Sequence, residues 1–542
     1  MAPPALDLAL GLDLRGVSPG TPVRAHLVAS LRALGEGVER ARPPLSVVFV
    51  VDVSGSMAGP PLEQVAGSID RLVGLLEPTD RVGIAAFSDG ASEVVALALL
   101  DAEARRRIST RVHRLKAEGG TNMEEGLLRG KAMMPPRGKH ERQLLVMLGD
   151  GAPNRGKVTP EDLSALARSF RPDVVVSTLG YGAHHHEDVL AQIADAGAGR
   201  YHFIADPSVC SIELAQAIGV QGDAVAEAVE LSLAPAEGVE IRRFYGNPEV
   251  RFGAGGVRVG VPDLLDGGRA VVVAELSLTP PREAGMWEAL GATASYRRAG
   301  EVEALSLAAV LKVPVGMAVT GPEPVARAEV LIAQADEARA EARRQADRGQ
   351  FEGAAAVLRQ MIRVIEEEPG RARGDGSALD EALEQLVDEA VAMERKPSQE
   401  AYQVFRKAQV QSRSLVDASE MHASSPMSVR MVESVAGALP RASLVVVAGD
   451  DAGRRYALDQ PRITIGRTKA AQVRIVDANV SRMQTLIVGQ EGKFIASDLG
   501  STNTTCLNGE RLTRPAPLGP GDVLRVGDVE LRYEEEGGGA RT

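Results

Sequence analysis

Cysteine is scarce in this chain of 542 residues, which contains only Cys210 and Cys506. Two widely separated cysteines cannot form the disulfide framework of a small secreted domain. That class is therefore excluded, and a reducing compartment is favoured. Neither cysteine has a neighbouring pattern that pairs it with a base. We interpret both as small packed residues rather than nucleophiles.

Long apolar runs are also missing. No run reaches the ~18 residues that a transmembrane helix needs, so we expect no membrane insertion. The N-terminus, Met-Ala-Pro-Pro-Ala-Leu-Asp-Leu-Ala-Leu, has no basic leader, which is not the pattern of a signal peptide. Together with the low cysteine content, these features predict a cytoplasmic protein.

Basic residues are outnumbered, with 61 Lys and Arg against 73 Asp and Glu and a net charge of −12. This charge argues against broad binding of nucleic acid or of anionic membranes, although it is compatible with a local basic pocket. The length exceeds what one hydrophobic core supports, so several domains are expected.

Catalytic motifs are absent as well. No Gly-Lys pair precedes Ser or Thr, so there is no P-loop, and His-Glu-x-x-His does not occur. The segment Gly16–Gly20 matches Gly-x-Ser-x-Gly, but Pro19 has no N–H to serve as an oxyanion donor. The adjacent residues His184, His185 and His186 cannot all face one ion. We therefore expect a protein that is not an enzyme.

One stretch of the sequence does carry chemistry. A β-branched run, Val47 to Val51, predicts a strand that is buried on both faces. Asp52, Ser54 and Ser56 follow it at alternate positions. Alternate residues of an extended chain point the same way, so a carboxylate and two hydroxyls converge at the strand's carboxyl end. Oxygen ligands of this kind suit Mg²⁺ or Mn²⁺.

Two later stretches complete a recognisable set. Thr121 follows Gly119 and Gly120, and Asp150 ends a second apolar strand. The set resembles the von Willebrand factor A (VWA) domain and its metal-ion-dependent adhesion site. The resemblance implies that Ser54 and Ser56 bind Mg²⁺ (or Mn²⁺) directly, and that Asp52, Thr121 and Asp150 bind it directly or through water. An open coordination position would accept a partner's carboxylate. Gly149 departs from the family, which often has Ser or Thr there.

A second set lies near the C-terminus. Short strands surround Gly466-Arg467, Ser481-Arg482 and the run Gly500–Asn503, and Asn508-Gly509 predicts a hairpin turn. These motifs resemble the forkhead-associated (FHA) domain, a β-sandwich that reads phosphothreonine. The resemblance implies that Arg467 and Ser481 bind the phosphate, that Arg482 and Thr502 add contacts, and that Asn503 holds the peptide backbone.

The second set has two departures from its family. Gln484 occupies the position of a His that usually braces the loop, and Thr504 replaces the usual Gly. Both changes concern the geometry of the binding loops. The sequence therefore predicts the fold of this domain more directly than its affinity for a phosphopeptide.

The expected fold class is multidomain α/β plus all-β. Alternating strands and helices predict a doubly wound parallel sheet for the VWA domain over residues 43–220. Strands in residues 1–42 are expected to complete a β-sandwich formed by residues 221–320, which makes the VWA domain an insertion. Residues 321–415 are predicted to be helical, 416–440 a linker, and 441–536 the FHA β-sandwich.

These expectations combine into a bacterial, cytoplasmic, non-enzymatic adaptor. It would bind an exposed carboxylate of one protein and a phosphothreonine of another, which implies a Ser/Thr kinase upstream. Two alternatives stay open. The chain could instead be the partner subunit of an AAA+ ATPase of the MoxR or chelatase type, or an enzyme with a novel metal site.

Overall fold

The computed structural model describes most of the chain, and two compact units can be distinguished in it. The described residues are 5–34, 43–136, 138, 141–150, 153–181, 187–204, 210–211, 214–215, 217–218, 224–246, 248–253, 256–298, 301, 303–316, 321–369, 377–397, 402, 426–449, 451–469, 471–477, 479–490, 492–499, 501 and 503–535. The first unit combines Met1–Val38 with Val225–Tyr402, and the second combines Glu39–Ala224 with Gln403–Thr542.

Strands open and close the first half of the chain, with helices between them. Strands β1 to β8 are Leu6–Leu12, Val23–Ala33, Leu45–Asp52, Arg81–Phe87, Ala91–Leu99, Arg142–Gly149, Val174–Tyr181 and Ala198–Ile204. Helices α1 to α5 are Pro60–Leu75, Ala102–Val112, Met123–Ala132, Pro160–Arg168 and Glu187–Ala196. Strands β9 to β16 are Ala224–Pro235, Val239–Phe244, Val250–Gly253, Gly256–Gly260, Leu264–Leu265, Arg269–Leu278, Gly285–Arg298 and Ala304–Val315.

Helices come first in the second half, and short strands follow. Helices α6 to α9 are Pro324–Asp347, Phe351–Glu366, Ala378–Glu394 and Pro426–Ala436. Strands β17 to β27 are Ala442–Ala448, Arg455–Leu458, Arg462–Gly466, Val473–Arg474, Thr485–Gln490, Lys493–Asp498, Cys506–Leu507, Glu510–Arg511, Ala516–Pro517, Val523–Val526 and Val529–Glu535. In the described part of the chain, no helix is both long and apolar enough to cross a membrane.

The first unit contains two antiparallel sheets that share one core. One sheet has the order β1-β2-β14-β10, and the other has β11-β12-β9-β15-β16 with β13 beside β9. The N-terminal strand β2 pairs with β14 from Val23 opposite Leu278 to Arg32 opposite Arg269. Inward-facing side chains such as Leu31 and Leu233 are fully buried in the common cluster. Residues on both sides of the inserted segment therefore build a single β-sandwich.

In the described part of the first unit, helices α6, α7 and α8 follow the sandwich. Ala326 and Val330 on α6 pack against Val28 and Val273 of the four-stranded sheet. Arg339 of α6 is buried and donates to Glu389 of α8 at 2.7 Å. Loss of either partner would leave an uncompensated buried charge, which is strongly destabilising. The predicted helical segment extended to residue 415, but residues 403–415 lie outside the described part.

The VWA segment of the second unit contains the predicted doubly wound parallel sheet, with one antiparallel edge strand that the prediction did not include. Its order is β5-β4-β3-β6-β7-β8. All neighbouring strands are parallel except β5, which runs antiparallel to β4. Ser88 to Gly90 form the tight turn of this hairpin, and β5 is the partly exposed edge strand. The strand was not predicted, although Val94 to Leu99 form a continuous apolar run that could have indicated it.

The central strand β3 is buried on both faces. Val47, Phe49 and Val51 face the cluster that contains α1 and α2, whereas Val48 and Val50 face the cluster that contains α3, α4 and α5. Two buried faces explain why every residue from Leu45 to Asp52 is buried. The carboxyl ends of β3, β4 and β6 consequently meet at one edge of the sheet.

The C-terminal strands form a second β-sandwich. Its sheets have the orders β18-β17-β27-β26-β23-β24 and β20-β19-β21-β22-β25, and one cluster of buried residues fills the space between them. Asn508 and Gly509 join β23 to β24 with φ values of 53° and 87°. Two positive φ values are the requirement of a type I′ hairpin turn, so the predicted turn is confirmed.

The predicted linker over residues 416–440 contains a helix, α9, and is corrected here. Met431 and Val432 of α9 are buried in the same cluster as Leu62 of α1 and Leu486 and Val488 of β21. The Ala436 carbonyl at the end of the helix accepts the Gly492 N–H at 3.2 Å. The segment is rich in apolar residues, with Met431, Val432 and Val435 at helical spacing, and the linker prediction overlooked this signal. It is helical because neighbouring elements cover it on two sides.

Candidate functional sites

The first site lies where β3 and β6 end. Asp52 is the last residue of β3, and Ser54 leads into a 3₁₀ turn over Gly55–Met57 just before α1. Asp150 follows the last residue of β6 directly. Ser56 Oγ donates to Asp150 Oδ1 at 2.7 Å and lies 3.1 Å from Ser54 Oγ. Neighbouring parallel strands thus bring together residues that are almost one hundred positions apart.

Asp52 is the buried centre of this site. Its Oδ1 accepts the Ser54 N–H at 2.8 Å, whereas its Oδ2 is buried without a hydrogen-bond partner. Burial raises the pKa of the Asp52 carboxyl to about 6, hydrogen bonding by Ser54 offsets part of this rise, and the charge of Asp150 adds to it. A buried carboxylate oxygen without a partner is costly, and a proton or a bound cation would lower that cost.

Gly149 makes room for that carboxylate. A Cβ atom added at Gly149 would lie 2.9 Å from Asp52 Oδ2 and 3.1 Å from Asp52 Cβ. The Ser or Thr that the VWA resemblance led us to expect would therefore displace Asp52. Gly149, which departs from the family pattern, thus leaves the space that the Asp52 carboxylate occupies.

Thr121 reaches the site from a third loop. The residue is buried, and it precedes Asn122, which caps α3 by accepting the Glu125 N–H at 3.2 Å. The Gly119 carbonyl accepts the Gly55 N–H at 3.2 Å, so the loop of Thr121 is joined to the turn between Ser54 and Ser56. All three predicted stretches therefore meet at one edge of the sheet.

The donor set fits a hard divalent cation. It offers hydroxyls and carboxylates only, which Mg²⁺ and Mn²⁺ prefer, and Asp52 supplies a buried negative charge that lacks a partner. Among the described residues, no group of three or more His, Cys, Asp or Glu could hold a metal. A zinc centre built from such ligands is therefore not found in that part of the chain.

The second site lies in the loops of the C-terminal sandwich. Arg467 follows β19, and its backbone N–H donates to the Ser481 carbonyl at 3.1 Å. Its Nε also donates to the Val480 carbonyl at 3.1 Å. A Cβ at Gly466 would collide with the Arg482 carbonyl, so this close approach of the two loops requires glycine. Arg467, Ser481 and Arg482 are brought together, and all three are partly exposed.

Comparison with known proteins identifies the two domains that carry these sites. The family model of the von Willebrand factor type A domain matches residues 46–216, and that of the FHA domain matches residues 463–527. The chain contains a VWA domain and an FHA domain. The predicted fold class of two such domains with a β-sandwich and helices is therefore confirmed.

Individual relatives cover only parts of the chain. An uncharacterized protein from Synechocystis is 34% identical over 206 residues, which are 38% of this chain and 48% of that protein. Human inter-alpha-trypsin inhibitor heavy chain H3 is 28% identical over 218 residues, 38% of this chain and 24% of that protein. The chain thus matches about half of the first relative's length and a quarter of the second's.

A solved structure supports the fold. The von Willebrand factor type A structure from Catenulispora acidiphila has a TM-score of 0.55 at 19% identity. The match covers 67% of this chain and 86% of that one. At this identity the likeness concerns the fold alone.

Gln484 braces the loops of the FHA domain. The side chain is fully buried, its Oε1 accepts the Ser481 N–H at 2.9 Å, and its Nε2 donates to the Asn503 carbonyl at 2.5 Å. The loop-bracing role that the family gives to His is therefore filled by Gln484. Thr504 does not have a positive φ, so glycine is not needed there. Thr502 lies outside the described residues.

Sequence reasoning missed several polar residues that hold these loops. In the FHA domain, Asn503 Nδ2 donates to the Asn479 carbonyl at 2.8 Å, and Asp498 Oδ1 accepts from Ser501 Oγ at 2.6 Å and Thr505 Oγ1 at 2.7 Å. The spacing of Asp498 and Ser501 is a local turn signal that could have identified the first of these contacts. No comparable signal marks Asn479.

Proposed function

We propose that this protein is a non-enzymatic adaptor that joins two protein partners. The VWA domain would bind an exposed carboxylate of one partner through Mg²⁺ or Mn²⁺, and the FHA domain would bind a phosphothreonine of another. The observation that carries this proposal is the buried Asp52 Oδ2 without a partner, next to the Ser54, Ser56 and Asp150 oxygens.

In the VWA domain, Ser54 and Ser56 would hold the ion through their hydroxyls, with Asp52, Thr121 and Asp150 as direct or water-mediated ligands. The ion, when bound, would supply a coordination position for a carboxylate oxygen. The chain's own contribution is to keep two carboxylates and the hydroxyls at one sheet edge before the ion arrives. The all-oxygen set supports Mg²⁺ or Mn²⁺ over softer metals.

In the FHA domain, the residue types suit a phosphate. A phosphothreonine carries about −1.5 to −2 charge and three acceptor oxygens. Arg467 would donate a charge-assisted bond and Ser481 a hydroxyl bond, while Arg482 and Thr502 add contacts and Asn503 holds the peptide backbone. The brace of Gln484 between Ser481 and Asn503 supports this role, because it holds both loops before a ligand binds.

A phosphothreonine partner requires a Ser/Thr kinase, so we place the protein in kinase-linked signalling. The two cysteines, Cys210 and Cys506, are both buried and do not form a disulfide with each other, which suits the reducing cytoplasm where such kinases act. No residue set in this proposal activates water or a nucleophile.

The test is capture of partners by the full chain from a native lysate, with four parallel samples that differ in EDTA and phosphatase treatment. One set of partners should disappear with EDTA and another with phosphatase. Partners that survive both treatments would contradict the proposal. A captured AAA+ ATPase whose activity depends on Asp52 would replace the adaptor with the ATPase-partner alternative.

A further inference from the structure

The loop that carries Thr121 is held on one side by the turn after Asp150. The Thr121 N–H donates to Asn154 Oδ1 at 2.9 Å. The Thr121 carbonyl accepts the backbone N–H groups of Asn154 at 3.0 Å and of Arg155 at 3.3 Å. Three hydrogen bonds therefore connect Thr121 to the segment that begins with Asp150, and both residues are predicted metal ligands.

The other side of the loop is held by the turn after β4. The Gly120 N–H donates to Asp89 Oδ1 at 3.0 Å, and the Asn122 N–H donates to the Ser88 carbonyl at 2.8 Å. Arg155 Nε pairs with the same Asp89 oxygen at 3.1 Å. The contacts close a ring around the loop, from Asp89 through Gly120 and Thr121 to Arg155 and back.

The ring leaves no space for a side chain at Gly119 or Gly120. A Cβ at Gly120 would lie 2.7 Å from Asn154 Oδ1 and 2.9 Å from Asp89 Oδ1. Gly119 has a φ of +80°, and a Cβ there would lie 2.8 Å from Asp89 Oδ2. The Gly119-Gly120 pair is therefore required by the same two polar side chains that bind the loop.

We propose that Asn154 and Asp89 are positioning residues for the metal site of the VWA domain, an inference that rests on the proposed function. Neither side chain is among the predicted ion ligands. Asn154 fixes the peptide plane of Thr121 and Asp89 fixes that of Gly120, so together they set where the Thr121 hydroxyl points. Polar groups that orient a ligand in this way typically change metal affinity by about 10- to 100-fold when they are removed.

The experiment titrates Mn²⁺ into the full chain and follows the free ion by electron paramagnetic resonance. Asn154→Leu, which removes the acceptor of the Thr121 N–H, should weaken Mn²⁺ binding about tenfold. Asn154→Asp keeps an oxygen at that position and should bind within about threefold of the wild type. Asp89→Leu, which acts on the other side of the loop, should weaken binding by an amount similar to Asn154→Leu.

Two readouts separate positioning from folding. Each variant should keep a single cooperative metal-free melting transition, lowered in the leucine variants by no more than the roughly 1–3 kcal/mol of a lost hydrogen bond, and the phosphothreonine-peptide affinity of the FHA domain should not change. If the wild type binds Mn²⁺ and both leucine variants bind equally well, the positioning role is wrong while the metal site stands. If Asn154→Leu unfolds, Asp89→Leu decides the question. Absence of Mn²⁺ binding in the wild type would overturn the metal site and the positioning role together.

Discussion

The two candidate sites differ in how complete they are without a ligand. In the VWA domain, Asp52 is fully buried and its Oδ2 has no partner. In the FHA domain, Gln484 is equally buried, but both ends of its amide make hydrogen bonds to the binding loops. Under the proposed function, a cation would satisfy the buried charge of the first site, whereas the second is braced in advance. Metal should stabilise the folded VWA domain, and a phosphopeptide should meet a formed pocket.

Asp52→Asn should give the largest effect and is the most direct test of the difference between the two sites. Removal of the charge should reduce Mn²⁺ affinity at least about a hundredfold, because a hard cation needs the carboxylate. The same change should raise the metal-free melting temperature at pH 7.5, since a buried carboxyl with a raised pKa destabilises the fold by up to about 3 kcal/mol when ionised. Calorimetry measures the metal-free melting temperature, and Mn²⁺ titration measures the affinity.

The exposed Asp173, which precedes β7 at the opposite edge of the sheet, provides the matched control. Asp173→Asn should change neither metal affinity nor melting temperature. An Asp52→Asn protein that melts at a lower temperature than the wild type without metal would contradict the view that this carboxylate is strained when unliganded.

Arg467→Ala should reduce phosphothreonine-peptide affinity about a hundredfold, because charge-assisted hydrogen bonds contribute about 1.5–3 kcal/mol. Arg514→Ala removes the same charge from an exposed position of the FHA domain and should have little effect. Fluorescence anisotropy with phosphorylated and unphosphorylated forms of one peptide measures both. Equal binding of the two peptide forms by the wild type would show that this domain does not read phosphate.

Metal binding should weaken as the pH falls through 6. The pKa of Asp52 lies at about 6 in the folded protein, above about 3.9 for an unfolded Asp. At pH 5 roughly nine in ten of these carboxyls carry a proton that the cation must displace, so apparent affinity should be about tenfold lower than at pH 7.5.

The raised pKa also fixes the sign of the metal-free stability. The contribution of Asp52 is most favourable below pH 4 and is lost as the pH rises from about 4 to 6. The Mg²⁺-induced increase in melting temperature should therefore be larger at pH 7.5 than at pH 5. An increase that does not depend on pH would separate Asp52 from the metal site.

Gln484→Met should give the smallest effect, because it keeps the shape of the side chain and removes only its hydrogen bonds. The Ser481 N–H and the Asn503 carbonyl would each lose a partner, which costs about 1–3 kcal/mol for a buried group. We expect phosphopeptide affinity to fall up to about tenfold while metal binding by the VWA domain stays the same. An unchanged phosphopeptide affinity would mean that the loops do not depend on this brace.

Some elements were predictable because their signal is local. The run from Val47 to Val51 is apolar throughout because both faces of β3 are covered, and Asp52, Ser54 and Ser56 follow it. The resemblance to the VWA domain implied that Asp150 lies nearby, and the parallel pairing of β3 with β6 brings it there. The Asn508-Gly509 turn was equally direct, since its backbone angles restrict the residue types.

Other elements depend on partners that the sequence does not indicate. The antiparallel direction of the edge strand β5 and the burial of α9 against α1 and β21 both depend on neighbouring elements. The bracing role of Gln484 and the ring of Asp89 and Asn154 arise from loops that meet only in the folded chain. Such contacts lack a characteristic spacing, so local patterns do not reveal them.

Helix α9 packs against both α1 and β21, which determines where an FHA fragment should begin. An FHA fragment beginning at residue 441 would include every strand of the sandwich but would leave Leu486 and Val488 without the cover of Met431 and Val432. Leu439, which packs on Gly489, would be lost as well. Apolar surface that becomes exposed in this way promotes self-association. A stable excised domain should therefore begin before Pro426. The face of α9 that packs against α1 in the full chain would then be exposed, and this face should promote association of the excised domain with itself or with another apolar surface.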